Sequence, residues 1–281
     1  MDRELVLAIL IVLLCGGALT VAGWFPTGSP VAVSGCALER RAWRRMWSPF
    51  GPALLLLAAL CGWALVEPAC AERVPNGLLW VALPFAAVLS RALWRAVRSL
   101  QRAHQRLAVA TVGLFRPRIV VSPRVTAELD ERALAAALEH ERAHARHWDP
   151  LRLWLAQLAS DILWPWPAAA ARLRCWRRGL ELARDEEARR NGVSGADLAA
   201  AILASLRISR GAASLSAATL GGDMSFVAER IARLLRPLEA AAPDARRSIL
   251  RLLALAGCVM SAVVLGTEFG ERVVRTLFAV V

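Results

Sequence analysis

Apolar residues in this chain are gathered into long uncharged runs instead of being spread evenly at helical spacing. Four such runs stand out, at 5–22, 47–66, 74–90 (just after Arg73) and 252–267. Each is near the roughly 17–25 residues needed to cross a bilayer core, so the pattern predicts four transmembrane helices, the last extended by its flanks. The segment between the third and fourth runs reads differently. It leaves the membrane through an arginine-rich amphipathic stretch. β-Branched residues over 106–123, punctuated by Gly113, Pro117 and Pro123, then predict two short strands and a turn. Pro117 would confine the second strand to a sheet edge. A helix is expected over 125–146, followed by an amphipathic or membrane-dipping stretch at 150–163 that carries Asp161. The run Trp164-Pro165-Trp166-Pro167 breaks it, and its tryptophans suit a membrane interface. Helices over 168–190 and 194–209, a small polar loop at 211–223 and an amphipathic helix at 226–238 complete the segment. The expected fold is mainly α: a polytopic membrane protein with a cytosolic α+β domain carrying a small β-hairpin. Its expected division is 1–96 (three spans with a basic loop at about 23–46), 97–247 (soluble domain), 248–268 (fourth span) and 269–281 (short external tail). No internal repeat is visible.

Composition agrees with the pattern: 57% of residues are hydrophobic, and the mean hydropathy is +0.45. The formal net charge of +12 comes from arginine alone, because the chain has no lysine. Arg40, Arg41, Arg44 and Arg45 crowd the first loop, the second holds only Arg73, and Arg91, Arg95, Arg98, Arg102 and Arg106 follow the third run. The positive-inside rule then predicts a cell-membrane protein with an external amino terminus, a cytoplasmic central segment and an external tail after Glu268. Topology accounts for most of this charge, so no direct nucleic-acid surface is expected. The start Met1-Asp2-Arg3-Glu4 lacks the net positive charge of a cleavable signal, so the first run reads as a retained span. Six cysteines without CxxC spacing suggest neither a cysteine metal site nor a disulfide framework.

The chemistry enters at His140-Glu141-Arg142-Ala143-His144. On a helix, residues four apart are separated by about 40° around the axis, so both imidazoles point the same way and can bind one Zn²⁺. Glu141 sits beside that pair, where it can act as general base. A peptidase site needs three protein ligands and an open position. The longer HExxHxxGxxH pattern is absent, because His147 stands in place of its glycine and Pro150 in place of its third histidine. His147 points roughly 60° off the ligand face. The third ligand should be a carboxylate on another helix, and Glu181 is the best candidate. Asp185, one turn later on the same face, can accept a hydrogen bond from a ligand imidazole and fix its tautomer. From the residues alone, a solvated acidic patch paired with arginines is the competing account. Tyrosine is absent from the chain, so an oxyanion donor must be Arg, His or backbone N–H, with His147 and Arg184 the nearest candidates. The strand at 118–122 can serve either as an edge for an extended substrate or as part of a plain structural hairpin.

Taken together, three apolar runs, Phe115-Arg-Pro-Arg-Ile-Val-Val-Ser-Pro123, His140–His144, Glu181-Leu-Ala-Arg-Asp-Glu186 and a fourth apolar run resemble the BlaR/MecR-type integral-membrane zinc peptidases, the antirepressors of β-lactam resistance. The resemblance implies zinc held by His140, His144 and Glu181, Glu141 as the base, and a BlaI-type repressor as the protein substrate. After the fourth run only about a dozen residues follow, so the penicillin-binding sensor domain of that family is not expected in this chain. That domain's acylated serine lies in Ser-x-x-Lys, which a chain without lysine cannot supply, so no direct β-lactam binding is expected. An HtpX-type quality-control peptidase shares HExxH and Glu-x-x-x-Asp but fits the three leading runs less well. Site-2-type proteases bury HExxH in an apolar span, whereas this motif is flanked by Arg132, Glu139, Arg142 and Arg146. A non-catalytic membrane scaffold would have no need of Glu141.

Overall fold

The structure is a computed structural model that describes residues 8–24, 34–66, 76–102, 109–212, 217–238 and 245–280. In chain order the helices are α1 (Ala8–Trp24, with a π-helical stretch at Ile11–Cys15), α2 (Gly35–Trp47), α3 (Phe50–Val66) and α4 (Asn76–Arg102). Strands β1 (Val109–Val112) and β2 (Arg118–Val121) follow, then α5 (Pro123–Glu128), α6 (Glu131–Arg146) and α7 (Asp149–Ile162). The last four helices are α8 (Pro167–Arg190), α9 (Gly195–Ala212), α10 (Ala217–Leu234) and α11 (Ala245–Val280). The architecture is mostly helical with one two-stranded antiparallel sheet, as the sequence predicted. Val109 pairs with Val121 and Val112 with Arg118. The hairpin turns at Gly113, where φ is +94° and a Cβ would fall 2.5 Å from the Arg116 carbonyl oxygen. Any side chain there would clash with backbone, so the turn depends on glycine.

The helix carrying HExxH starts later than the pattern suggested. Residues 123–128 form the separate helix α5, and the Asp130 carboxylate accepts from Ala133 N–H (2.7 Å), which caps α6 and fixes its start. Ala133, Ala136, Ala137 and Ala143 line its buried face. These small side chains let α9, β1 and α8 approach closely, and Ala136 packs with Ala188, Leu198, Ala199 and Leu234. Trp148, between α6 and α7, adopts the left-handed conformation (φ +55°). A bulky residue is strained there, and the sharp reversal brings Asp149 back beneath α6.

Three further segments are helical where the sequence reading gave no helix. The first loop contains α2, whose Glu39, Ala42 and Met46 are buried against the rest of the protein. Gly35 lies on the Leu182 backbone and Gly179 on the Glu39 backbone, so α2 and α8 cross almost main chain to main chain. The polar segment at 211–223 is largely helical, because α10 begins at Ala217; residues 213–216 lie outside the described part. The tail expected after 268 continues as helix α11 to Val280. Calls that rest on residues 1–4, Arg73 and Arg106 also lie outside the described residues.

The apolar runs fall on α1, α2–α3, α4 and α11, and α3 packs along α11 and against α1. Among the described residues no single helix is long and apolar enough to cross a membrane. Helices α2 and α3 reach that length together across a 45° bend, and Ala8–Trp24 and Ala254–Gly270 are shorter apolar helices. Four separate spans are therefore not established. The apolar face of these helices is nonetheless exposed at Leu65, Trp80, Leu83, Leu89, Met260 and Val264.

Candidate metal centre

Helix α6 presents His140 and His144 side by side, buried at 7% and 8% exposure. Helix α8 crosses them and brings Glu181 to the same point. His140 Nε2 and His144 Nε2 are 3.1 Å apart. Glu181 Oε2 lies 3.5 Å from the first, and Oε1 3.8 Å from the second. Tetrahedral bonds of roughly 2.0–2.1 Å would separate ligand atoms by about 3.3–3.4 Å, so this triangle has the dimensions of a metal-binding face. All three residues can contribute one ligand atom each within 4.8 Å of one another.

The opposite nitrogens explain why the triangle converges. His140 Nδ1 lies 3.0 Å from Asp185 Oδ1, and His144 Nδ1 lies 2.8 Å from Asp149 Oδ2. With one proton on Nδ1 of each ring, the form that can bind a metal, both Nε2 lone pairs and a carboxylate converge on one point. A bound cation would take the place of the second proton that His140 holds in the metal-free protein, and two nitrogens with one oxygen suit zinc. Glu181 remains partly open, with 32% of its side chain exposed, which leaves an approach for a further ligand.

Charge around the triangle is arranged to the same end. Burial would lower the His140 pKa, but Asp185 and Glu181 outweigh it and push it up to about 9. For Glu181, burial is opposed by Arg230 and both imidazoles, which hold its carboxyl well below the usual range. Burial likewise opposes ionisation of Asp149, and His144 and Arg184 keep it ionised. These directions follow from charge pairing winning over desolvation.

Three residues that sequence reasoning did not single out complete the surroundings. Asp149 is fully buried and accepts from His144, twice from Arg184 (2.5 and 2.9 Å) and once from Arg152 (3.0 Å). Its signal in the sequence was Asp-Pro five residues after His144, a helix start that the left-handed Trp148 turns inward. Arg230 of α10 grips Asp185 through two 2.8 Å bonds and lies 3.0 Å from Glu181. No local pattern announces it, since it arrives from 45 residues beyond Asp185. Thr111 of β1 donates its N–H to Glu141 Oε2 at 2.7 Å, and its hydroxyl lies 2.8 Å from the same oxygen. The hairpin edge facing the motif helix is thus β1 at Thr111, whereas the strand considered from the sequence was 118–122.

The two oxyanion candidates have other partners. The Arg184 guanidinium is occupied by Asp149 and by Glu187 at 3.2 Å. His147 is half-exposed and pairs with Glu187 at 2.8 Å. Structure therefore brings together His140, His144, Glu181 and Asp185, with Glu141 alongside on Thr111, and directs His147 and Arg184 elsewhere.

A family model described as BlaR1 peptidase M56 matches residues 89–234, more than half of the chain. No curated protein and no solved structure matches.

Proposed function

The chain belongs to the BlaR1 peptidase M56 family, and from that premise we propose that it is a membrane-embedded zinc metalloendopeptidase acting on a cytosolic protein, a BlaI-type transcriptional repressor. The observation that carries the reading is the convergence of His140, His144 and Glu181, with both imidazoles oriented from behind by Asp185 and Asp149. Membrane residence is supported by the family and by the apolar faces that α3, α4 and α11 leave exposed.

The residues divide the work. His140, His144 and Glu181 would hold the ion, which when bound supplies Lewis-acid polarisation of the scissile carbonyl and makes water a stronger acid. Glu141 takes the proton from the attacking water and returns it to the leaving amine. Asp185 and Asp149 keep the imidazoles in one tautomer and one orientation. Thr111 N–H and hydroxyl hold the Glu141 carboxylate in one place beside β1.

Cleavage of a co-expressed BlaI-type repressor by wild type and by Glu141→Ala, in membranes and at matched zinc content, tests this. Cleavage by wild type alone supports a regulatory peptidase. A zinc-loaded wild type that leaves the repressor intact while degrading damaged membrane proteins moves the function to quality control. A wild type that binds no zinc defeats the reading.

A further inference from the structure

Helix α2 lies outside the matched region 89–234, yet its Glu39 is buried to 7% exposure in the middle of the peptidase helices. A carboxylate so deep needs partners, and Glu39 has two: Arg152 of α7, in a close ion pair, and Trp176 Nε1 of α8 at 3.3 Å. Arg152 is held on its faces as well, with its guanidinium carbon 4.7 Å from the Trp43 ring of α2 and 5.6 Å from the Trp176 ring. So oriented, Arg152 donates from Nη1 to Asp149 Oδ1 at 3.0 Å, and Asp149 Oδ2 faces His144 Nδ1 at 2.8 Å. A chain of charged contacts therefore runs from α2 to a ligand imidazole without a gap.

We propose that Glu39 is a positioning residue of the metal centre, through which the placement of α2 between α1 and α3 sets the orientation of His144. The proposal rests on the metallopeptidase reading above. Without the Glu39 carboxylate, the Arg152 guanidinium loses the partner that fixes its rotation, and Asp149 loses one of its four donors. The Asp149 carboxylate is then held by Arg184 and His144 alone, so its plane, and with it the Nδ1 acceptor of His144, is fixed less firmly. Removing the direct partner of a ligand imidazole weakens metal binding by about 10–100-fold, and Glu39 acts two partners further back, through Arg152 and Asp149, so the low end of that range, about tenfold, is expected.

A second polar tie joins α2 to α8 without touching this route. Glu186 accepts from the Gly35 and Cys36 N–H groups at the start of α2. It supplies the control for mere loosening of the helix pair.

The test is Co²⁺ binding to the full-length protein in detergent, read by its visible absorption, for wild type, Glu39→Gln and Glu186→Gln. The relay predicts about tenfold weaker binding and a shifted spectrum for Glu39→Gln, with Glu186→Gln indistinguishable from wild type. Unchanged affinity and spectrum in Glu39→Gln overturn it. Equal losses in both variants also overturn it, because general loosening of α2 then suffices. Should Glu39→Gln fail to accumulate, Arg152→Lys takes its place. Its one nitrogen can reach Glu39 and Asp149 only by giving up the planar two-nitrogen geometry of the guanidinium, so a loss of the same order is expected and its absence is equally fatal. A wild type that takes up no Co²⁺ defeats the metal-centre reading itself, and the relay with it.

Discussion

Replacing Asp149 by asparagine removes one oxygen's worth of acceptor and nothing of the shape, which makes the cost calculable. The carboxylate receives four donors: His144 and Arg184 Nε on Oδ2, Arg184 Nη2 and Arg152 on Oδ1. A carboxylate has about four acceptor sites, so every one is filled. An amide offers acceptors on one atom and donors on the other. With its oxygen toward His144, the NH₂ group opposes two guanidinium donors in a fully buried place. With the amide reversed, NH₂ faces His144 Nδ1, which must then accept, placing the proton on Nε2 and removing that nitrogen as a ligand. Either way two charge-assisted bonds are lost, at about 1.5–3 kcal/mol each. The resulting range of about 3–6 kcal/mol overlaps the roughly 3–5 kcal/mol typical of breaking one side of a buried ion pair. Asp149→Asn is therefore expected to lower the melting temperature by more than about 5 °C, and to weaken zinc by about 10–100-fold. Both are measurable on purified protein, by thermal denaturation and by competition with a chromophoric chelator. A variant within about 2 °C and threefold of wild type on both counts would refute the four-donor account.

Other consequences can be checked independently. Glu141→Gln should reduce repressor cleavage by at least about 100-fold with zinc content unchanged, measured by gel densitometry and metal analysis; loss of metal would contradict its placement beside the ligands. His140, at about 9 in the metal-free protein, carries a proton that zinc must displace, so apparent zinc affinity should climb between pH 7 and 9 and level off above; a flat profile is the opposing result. The sign for stability is the reverse: a raised folded-state pKa stabilises the metal-free protein fully below its unfolded value near 6.5, and that contribution disappears as pH rises through about 9, visible in melting curves without zinc. Gly179→Val should destabilise by about 1–3 kcal/mol, because even its Cβ would lie 2.9 Å from the Glu39 backbone nitrogen; an unchanged melting temperature would mean that the α2–α8 crossing is looser than drawn.

Legibility from sequence followed the range of the physics involved. HExxH was readable because two candidate ligands and a candidate base lie within about one helical turn, where spacing fixes direction. Glu181 and Asp185 were readable as a pair for the same reason, one turn apart on α8. Asp149 was hidden because the chain reverses at Trp148 through a left-handed conformation, which helical spacing cannot anticipate. Arg230, Thr111 and Glu39 arrive from other elements, and nothing in a single chain tells a distant arginine or threonine which carboxylate it will meet. The helix inside the basic first loop was not legible for a different reason. Its arginines satisfy a topology rule, but Glu39, Ala42 and Met46 at spacings of three and four make one buried face within it.

Helix α8 shows why the site cannot be divided into independent parts. Within eight consecutive residues it supplies Gly179 to the α2 crossing, Glu181 to the metal triangle, Arg184 to Asp149, Asp185 to His140 and Arg230, and Glu186 to the start of α2. Successive helical positions turn by about 100°, so these side chains radiate to α2, α6, α7 and α10 from one short rod. A shift of that rod moves the third candidate ligand together with Asp185, the partner of one imidazole, and Arg184, which holds the partner of the other. Substitutions here share contacts and should combine non-additively with those at Asp149 or Glu39. The same packing links the apolar helices to the candidate metal centre: α2 bears on α8 at Gly35 and Gly179, and it stands between α1 and α3 in chain order.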